Sequence, residues 1–225
     1  MSRYGSMGRG VVSLLLFTLV GLGVASQAGA GTEGLKGKFT EVKQPSTHEP
    51  GKVKMTEFVD FYCPHCHMFE QSVLPLLMKE FGHRLEVTLV GFPVVSGKLP
   101  MAFEMYEQAK AMGKGNDMKR VLFQTIHRSQ IHVLDKTIRE SLIKEVGLDP
   151  VVFEAGLESG KPRKAVEEGK AWGVRVQVQH TPTILLDGNI KADGISPDNL
   201  KALIGSILES DLAPATQPKA DGAKQ

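Results

Sequence analysis

The sequence predicts an α/β fold, and three observations carry that expectation. Apolar spacing switches from a strand period to a helical period at Cys63. Residues 53–91 read as strand, helix, strand, a unit whose strands pair in parallel through a right-handed crossover. A hairpin signal at Asp187-Gly188 follows a helical block of about seventy residues, which is too long for a plain crossover. A sheet with helices between its strands accounts for all three. The long block is expected as an all-helical subdomain, inserted beside the helix that starts at Cys63.

The first thirty residues stand apart. Arg3 and Arg9 are their only charged side chains, and residues 11–24 are apolar except for Ser13, Thr18, Gly21 and Gly23. Ala28-Gly29-Ala30 then offers small residues for cleavage. This is the layout of a secretory signal peptide, and its apolar run is shorter than the roughly 20 residues that span a bilayer. Cleavage is expected near Ala30. Arg3 and Arg9 leave with the leader, so of 27 basic residues 25 remain against 25 acidic ones. That balance gives no electrostatic footing for nucleic acid or an anionic membrane as partner. Export implies an oxidising compartment, and the expected location is the periplasm.

Each element has its own justification. Residues 35–42 alternate enough for a first strand, with Phe39 turned inward, and residues 44–51 form a loop with Pro45 and Pro50. Residues 53–62 are the strongest strand, apolar at Val53, Met55, Phe58, Val59 and Phe61, with Glu57 out of place among them. After Pro64, the residues Phe69, Val73, Leu76, Leu77 and Phe81 recur at helical spacing; Pro75 predicts a kink and Gly82 an end. Residues 85–91 form a third strand. Residues 97–173 are helical, with Asn116, Asp135 and Asp149 as expected caps and a last helix running from Pro162 to a stop at Gly173. Residues 174–179 alternate Val with Arg or Gln and are expected to be extended. Residues 183–186 and 189–192 flank Asp187-Gly188 as a hairpin, and Ser196-Pro197 caps a final helix through Leu200, Leu203, Ile204 and Ile207. Residues 211–225 hold little that could be buried and are expected as a disordered tail. The organisation is a sheet domain built from residues 31–96 and 174–210, with residues 97–173 inserted into it.

The chain's only two cysteines, Cys63 and Cys66, bracket Pro64 and His65 at the strand–helix junction. A Cys-x-x-Cys pair at a helix start is a redox dithiol, while Cys-x-x-Cys-His, completed by His67, is the attachment signature of c-type haem. Zinc would need four ligands, and no second Cys/His cluster lies at characteristic spacing. So short a loop constrains the unfolded chain little, so the pair reads as a reagent rather than a brace. At a helix start Cys63 sits among free backbone N–H groups and the positive end of the dipole, with His65 as a further donor. Both favour the thiolate, the form that attacks. Stabilising the reduced form makes the disulfide a stronger oxidant. Cys66, one turn further in, is expected to be buried and to act as the resolving thiol.

The run Cys63-Pro64-His65-Cys66, after Glu57-Phe58-Val59-Asp60-Phe61-Tyr62 and before Met68-Phe69-Glu70, resembles the DsbA family of thiol:disulfide oxidoreductases. The similarity extends over nearly the whole mature chain, through the helical block to Thr181-Pro182, the hairpin and the last helix. It implies a thioredoxin-like fold with an inserted all-helical subdomain, a Cys63–Cys66 disulfide, and exchange chemistry with no cofactor and no metal. Pro182 matches the family's cis-proline, which faces the dithiol. Glu57 matches the buried acid six positions before the first cysteine and would accept the proton of Cys66. Glu70 matches a further acidic residue near the motif. One departure concerns the residue before the cis-proline, often Val in the oxidases: here it is Thr181, preceded by His180, so the reduction potential turns on that position. The redox reading explains Glu57, Thr181-Pro182 and the strand–helix order; the haem reading explains none of them.

The resemblance also implies partners. Reduced exported polypeptides would be the substrates, extended beside Thr181-Pro182, and a quinone-linked membrane protein of DsbB type would be the reoxidant. A disulfide isomerase or reductase of the same fold is the alternative. No segment reads as a dimerisation element, so a monomeric oxidase is expected.

Overall fold

Val53–Val59 (β2) is the strand around which the other elements assemble. It pairs in parallel with Leu85–Gly91 (β3), Val53 opposite Leu85 and Val59 opposite Gly91. On its other side it runs antiparallel to Thr183–Leu186 (β4). Phe39–Glu41 (β1) and Ile190–Ala192 (β5) complete a five-stranded mixed sheet in the order β1-β5-β4-β2-β3. The computed structural model describes residues 32–95, 100–129 and 135–212. The expected signal peptide lies outside the described residues.

Strand alternation sorts the side chains into two layers. Val53, Met55, Ile184 and Leu186 face one way, onto Leu77 of Leu74–Phe81 (α2) and Leu203 and Ile207 of Pro197–Ser210 (α8). Phe58 and Leu185 face the other way, onto Trp172 and Val176 at the end of Lys161–Arg175 (α7). The third cluster lies where the sheet meets the helical insertion. There Val59, Phe61, Cys63, Cys66 and Leu89 pack against Phe103, Met105, Tyr106, Leu122 and Phe123. The insertion comprises Met101–Ala111 (α3), Gly115–Gln124 (α4) with a π-helical turn Thr125–Ser129, Lys136–Glu145 (α5), Pro150–Glu158 (α6) and α7. The dithiol therefore sits in a seam between two folding units.

Several sequence expectations meet their elements. Asp135 caps α5 by accepting from Thr137 N–H and Ile138 N–H, Asp149 caps α6 through Val152 N–H, and Ser196 caps α8 through Asn199 N–H. Asp187 and Gly188 both take positive φ (44° and 79°) in the hairpin loop, which runs over residues 187–189 because Leu186 pairs with Ile190, so Asn189 belongs to the loop and not to the second strand. The helix after the cysteines is broken as Pro75 demands: Pro64–Met68 (α1) passes into a π-helical turn Phe69–Val73, and α2 starts at Leu74.

Other expectations are corrected. β1 is three residues long rather than eight, and β2 ends at Val59 because Asp60 turns the chain. The residue capping α4 is Lys114, with Asn116 already inside the helix. Gly173 does not stop α7, which continues to Arg175. A Cβ at Gly173 would lie 2.5 Å from the Phe92 ring, so the glycine lets the helix approach that ring. The Val–x–Val pattern after it is therefore not a strand: Val176 N–H donates to Trp172 O, and Gln177 reverses the chain with φ 58°.

The expected tail also starts too early. Asp211 is held in place, its Oδ1 2.7 Å from His48 Nε2 and its Oδ2 accepting from Gly51 N–H. The other ring nitrogen of His48 lies 2.8 Å from Asp187 Oδ2. Burial alone would pull the His48 pKa down, but the two carboxylates reverse this and hold it above its ordinary value. This buried clasp ties the loop before β2 to the hairpin and to the end of α8.

Candidate active site

Asp60 begins the turn that delivers the cysteines. Its buried carboxylate accepts from Tyr62 N–H (2.9 Å) and from Val94 and Val95 N–H (2.8 Å each), and its carbonyl accepts from Cys63 N–H (3.0 Å). Cys63 is the N-cap of α1, with extended backbone (φ −83°, ψ 118°). Its carbonyl accepts from Cys66 N–H and His67 N–H, Pro64 has no N–H, and the Cys63 side chain makes no capping hydrogen bond to the helix. Both cysteines are free thiols. Cys63 is 7% exposed, Cys66 is wholly buried, and Pro64 and His65 are exposed.

The cis peptide bond Thr181–Pro182 lies immediately opposite. Cys63 Sγ donates to the Thr181 carbonyl at 3.3 Å, across 118 residues of chain. Burial pushes the Cys66 thiol far up, opposed by contacts from the Asp60 backbone and the Thr181 hydroxyl. The two sulfurs thus differ in surroundings: Cys63 keeps a sliver of exposed surface at a helix N-terminus, while Cys66 has none.

Glu57 lies on the β2 face that carries Met55, and is completely buried. Neither carboxyl oxygen has a hydrogen-bond partner at ordinary distance among the described residues. Burial pushes its pKa well up; the Glu70 carboxylate pushes the same way, and the Lys119 ammonium opposes. Glu70 and Lys119 form a half-buried ion pair at 2.6 Å. The structure therefore brings together Cys63, Cys66, Glu57, Glu70, Thr181 and Pro182, while Pro64 and His65 form the outer lip. Sequence reasoning missed Lys119 and Asp60. Lys119 lies on α4, and nothing in its local pattern points at the motif. Asp60 had a readable signal, an acid three residues before the first cysteine in an otherwise apolar run.

His67 is not available as an axial ligand. Its Nε2 accepts from the Gln71 amide at 2.8 Å and its ring is stacked on His127 and Phe123. Cys66, with no exposed surface, leaves no room for a thioether to a porphyrin. The haem reading falls on these contacts.

Comparison with known proteins agrees with the geometry. The family model described as Thioredoxin matches residues 48–206. The chain belongs to the thioredoxin family. Within it, the thiol:disulfide interchange protein DsbA of Pectobacterium carotovorum subsp. carotovorum is 27% identical over 197 residues, covering 84% of this chain and 92% of the relative. DsbA of Pseudomonas aeruginosa is 25% identical over 198 residues, covering 86% and 92%. The crystal structure of P. aeruginosa DsbA superposes with a TM-score of 0.61 at 22% identity over 78% of this chain and 93% of that one. The oxidoreductase DsbA from Xylella fastidiosa gives 0.64 at 20% identity over 78% and 96%. This family member is a DsbA-type thiol:disulfide oxidoreductase with a thioredoxin fold and a helical insertion.

Proposed function

We propose that the chain is the oxidising partner in this exchange: a periplasmic, monomeric oxidase that introduces disulfides into newly exported polypeptides. The observation that carries the proposal is the contrast between the two sulfurs. Cys63 keeps slight exposure beside the Thr181 carbonyl, while Cys66 is sealed near a buried acid.

In the proposed cycle the resting site is the Cys63–Cys66 disulfide. A client thiolate attacks Cys63 Sγ, forming a client–Cys63 bond and breaking the Cys63–Cys66 bond. Cys66 leaves with the electron pair and takes a proton from Glu57, whose burial keeps it protonated. A second client thiolate then attacks the client sulfur, the client disulfide forms, and Cys63 leaves as thiolate at the helix N-terminus. The client is oxidised by two electrons and the dithiol is reduced. Reoxidation reverses the steps: Cys63 attacks the disulfide of a quinone-linked membrane partner of DsbB type, and Glu57 takes the proton of Cys66 as it closes the ring. Pro64 fixes the first helical turn, and His65 can add a donor. Backbone groups at Thr181-Pro182 hold the client in extended form. Export would follow from the amino-terminal leader, with cleavage near Ala30.

The test is oxidation of a reduced client peptide by the mature protein in its disulfide form. The expected result is one client disulfide formed per protein dithiol released. If Cys63→Ser oxidised the client as the wild type does, the reading would be wrong.

A further inference from the structure

His67 takes no part in the exchange steps, yet it is held on several sides. Its ring stacks on that of His127, with centroids 4.7 Å apart and planes 11° from parallel. Phe123 extends the stack at 5.7 Å and 17°. His127 lies in the π-helical turn Thr125–Ser129 of the insertion, and its Nε2–H donates to the Phe61 carbonyl at 2.9 Å. Phe61 is two residues before Cys63, and His67 is one residue after Cys66. One imidazole therefore grips both flanks of the dithiol loop. Phe123 repeats the pattern with apolar contact, its ring 5.1 Å from Phe61 on one side and stacked with His67 on the other. Turns with π geometry occur disproportionately at functional sites because the extra residue re-aims a side chain.

The hydrogen-bond roles are mutually consistent. The Gln71 amide donates to His67 Nε2, so that nitrogen carries no proton, while His127 Nε2 carries one. Burial and the neighbouring His127 and Arg128 hold the His67 pKa below its ordinary value, which agrees with an unprotonated Nε2.

We infer that His127 is a positioning residue for thiol–disulfide exchange, through which the helical insertion fixes the Cys63–Cys66 loop from both sides and biases it toward the free-thiol form. The bias follows from linkage: a contact shifts an equilibrium only as far as it differs between the two states. The clamp is closed in the free-thiol form. A disulfide must bring the two sulfurs to about 2 Å, and the bias requires that this closure shift the segment that both clamp contacts hold. The clamp thus favours reduction of this protein and makes its disulfide the stronger oxidant. The inference rests on exchange at Cys63–Cys66, but not on which partner is oxidised.

Two variants separate the contacts. His127→Phe keeps a ring to stack on His67 and loses the donor to Phe61; His127→Gln keeps a donor and loses the ring. Each is expected to shift the equilibrium constant with glutathione at least about threefold toward the disulfide, one lost hydrogen bond or ring contact being worth that much. A packing role alone would lower the melting temperature and leave the equilibrium constant unmoved; that result in both variants overturns the inference. A wild-type measurement covers the case in which neither variant folds. Nitrogen NMR of the histidine rings should show the Nε2–H form of His127 in the reduced protein and a changed His127 signal in the oxidised one. Identical His127 signals in both states would also overturn it. If the wild-type dithiol failed to exchange with glutathione at all, the exchange reading itself would fail first.

Discussion

Two buried carboxyl groups, Glu57 on β2 and Asp187 at the end of the neighbouring β4, belong to the same sheet and differ in one respect. Both are almost fully buried, and in both burial drives the pKa up. Asp187 is satisfied: one oxygen accepts from Lys54 N–H, and the other faces His48, which Asp211 holds from behind. Glu57 has no hydrogen-bond partner at ordinary distance among the described residues, and its nearest charged neighbours are the Glu70 carboxylate and the Lys119 ammonium. Buried polar groups are almost always paired, and an unpaired one in a folded protein asks for another explanation. Asp187 is a piece of architecture. Glu57, left unsatisfied near the cysteines, is the group to which the proposed cycle gives proton transfer. Partnership, not burial, separates the structural acid from the chemical one.

The comparison can be broken most decisively at the cysteines. Cys63→Ser should lower client oxidation by about a thousandfold or more, because the attacked sulfur is gone, with melting unchanged from that of the reduced wild type. A stopped-flow assay with a reduced fluorescent peptide reads the first quantity and thermal denaturation the second. Breaking the clasp should give the reverse pattern. His48→Ala leaves two buried carboxylates facing each other and should cost about 3 kcal/mol of stability, measured by urea unfolding. Client oxidation below the melting temperature should stay at the wild-type rate, since no clasp residue touches the dithiol.

Glu57→Gln sharpens the contrast, because it keeps the shape and removes the titration. Cys66 then has no proton donor, and closure or opening of its disulfide should slow by about a hundredfold. The stability effect has the opposite sign. The folded-state pKa of Glu57 is raised above its unfolded value, so its contribution is fully present below the unfolded pKa near 4.5 and is lost as pH rises. At pH 7 the variant should therefore be more stable than the wild type, by about 1–3 kcal/mol, and the gap should close toward pH 4. Unfolding curves at the two pH values check both sign and window. A variant less stable than wild type at pH 7 would mean that Glu57 has a partner after all.

The mildest change is Thr181→Val. The Thr181 hydroxyl favours the Cys66 thiolate, the form in which Cys66 leaves as the disulfide opens, so its loss should slow that opening by about twofold to fivefold. The oxidised and reduced fractions can be read over time by acid quenching.

What the sequence disclosed follows the range of its signals. Local ones were legible: the period change at Cys63, the caps at Asp135, Asp149 and Ser196, and the Asp187-Gly188 turn each depend on a few neighbouring residues. The dithiol, Glu57 and Pro182 were legible because fixed spacing and a family resemblance mark them. Gly173 was misread because a helix-stopping residue and a close-contact residue look alike until the opposing Phe92 is known. Asp211 looked like tail because its partner, His48, lies 163 residues away. Lys119 and His127 escaped for the same reason: each acts through a contact between the insertion and the sheet domain, and no local pattern encodes which helix face docks there. His67 was noticed for the wrong chemistry, since its spacing is that of a haem ligand while its partners are a glutamine, a phenylalanine and a second histidine.

The central claim is that Cys63 and Cys66 form an oxidising couple, the reduced state being favoured by a sulfur at a helix start and another near a buried acid. Equilibration of the mature protein with a glutathione redox buffer tests it most directly. The account predicts a reduction potential at or above roughly −180 mV, on the oxidising side of the exchange proteins. A value near roughly −270 mV, that of a thioredoxin-like reductant, would contradict it.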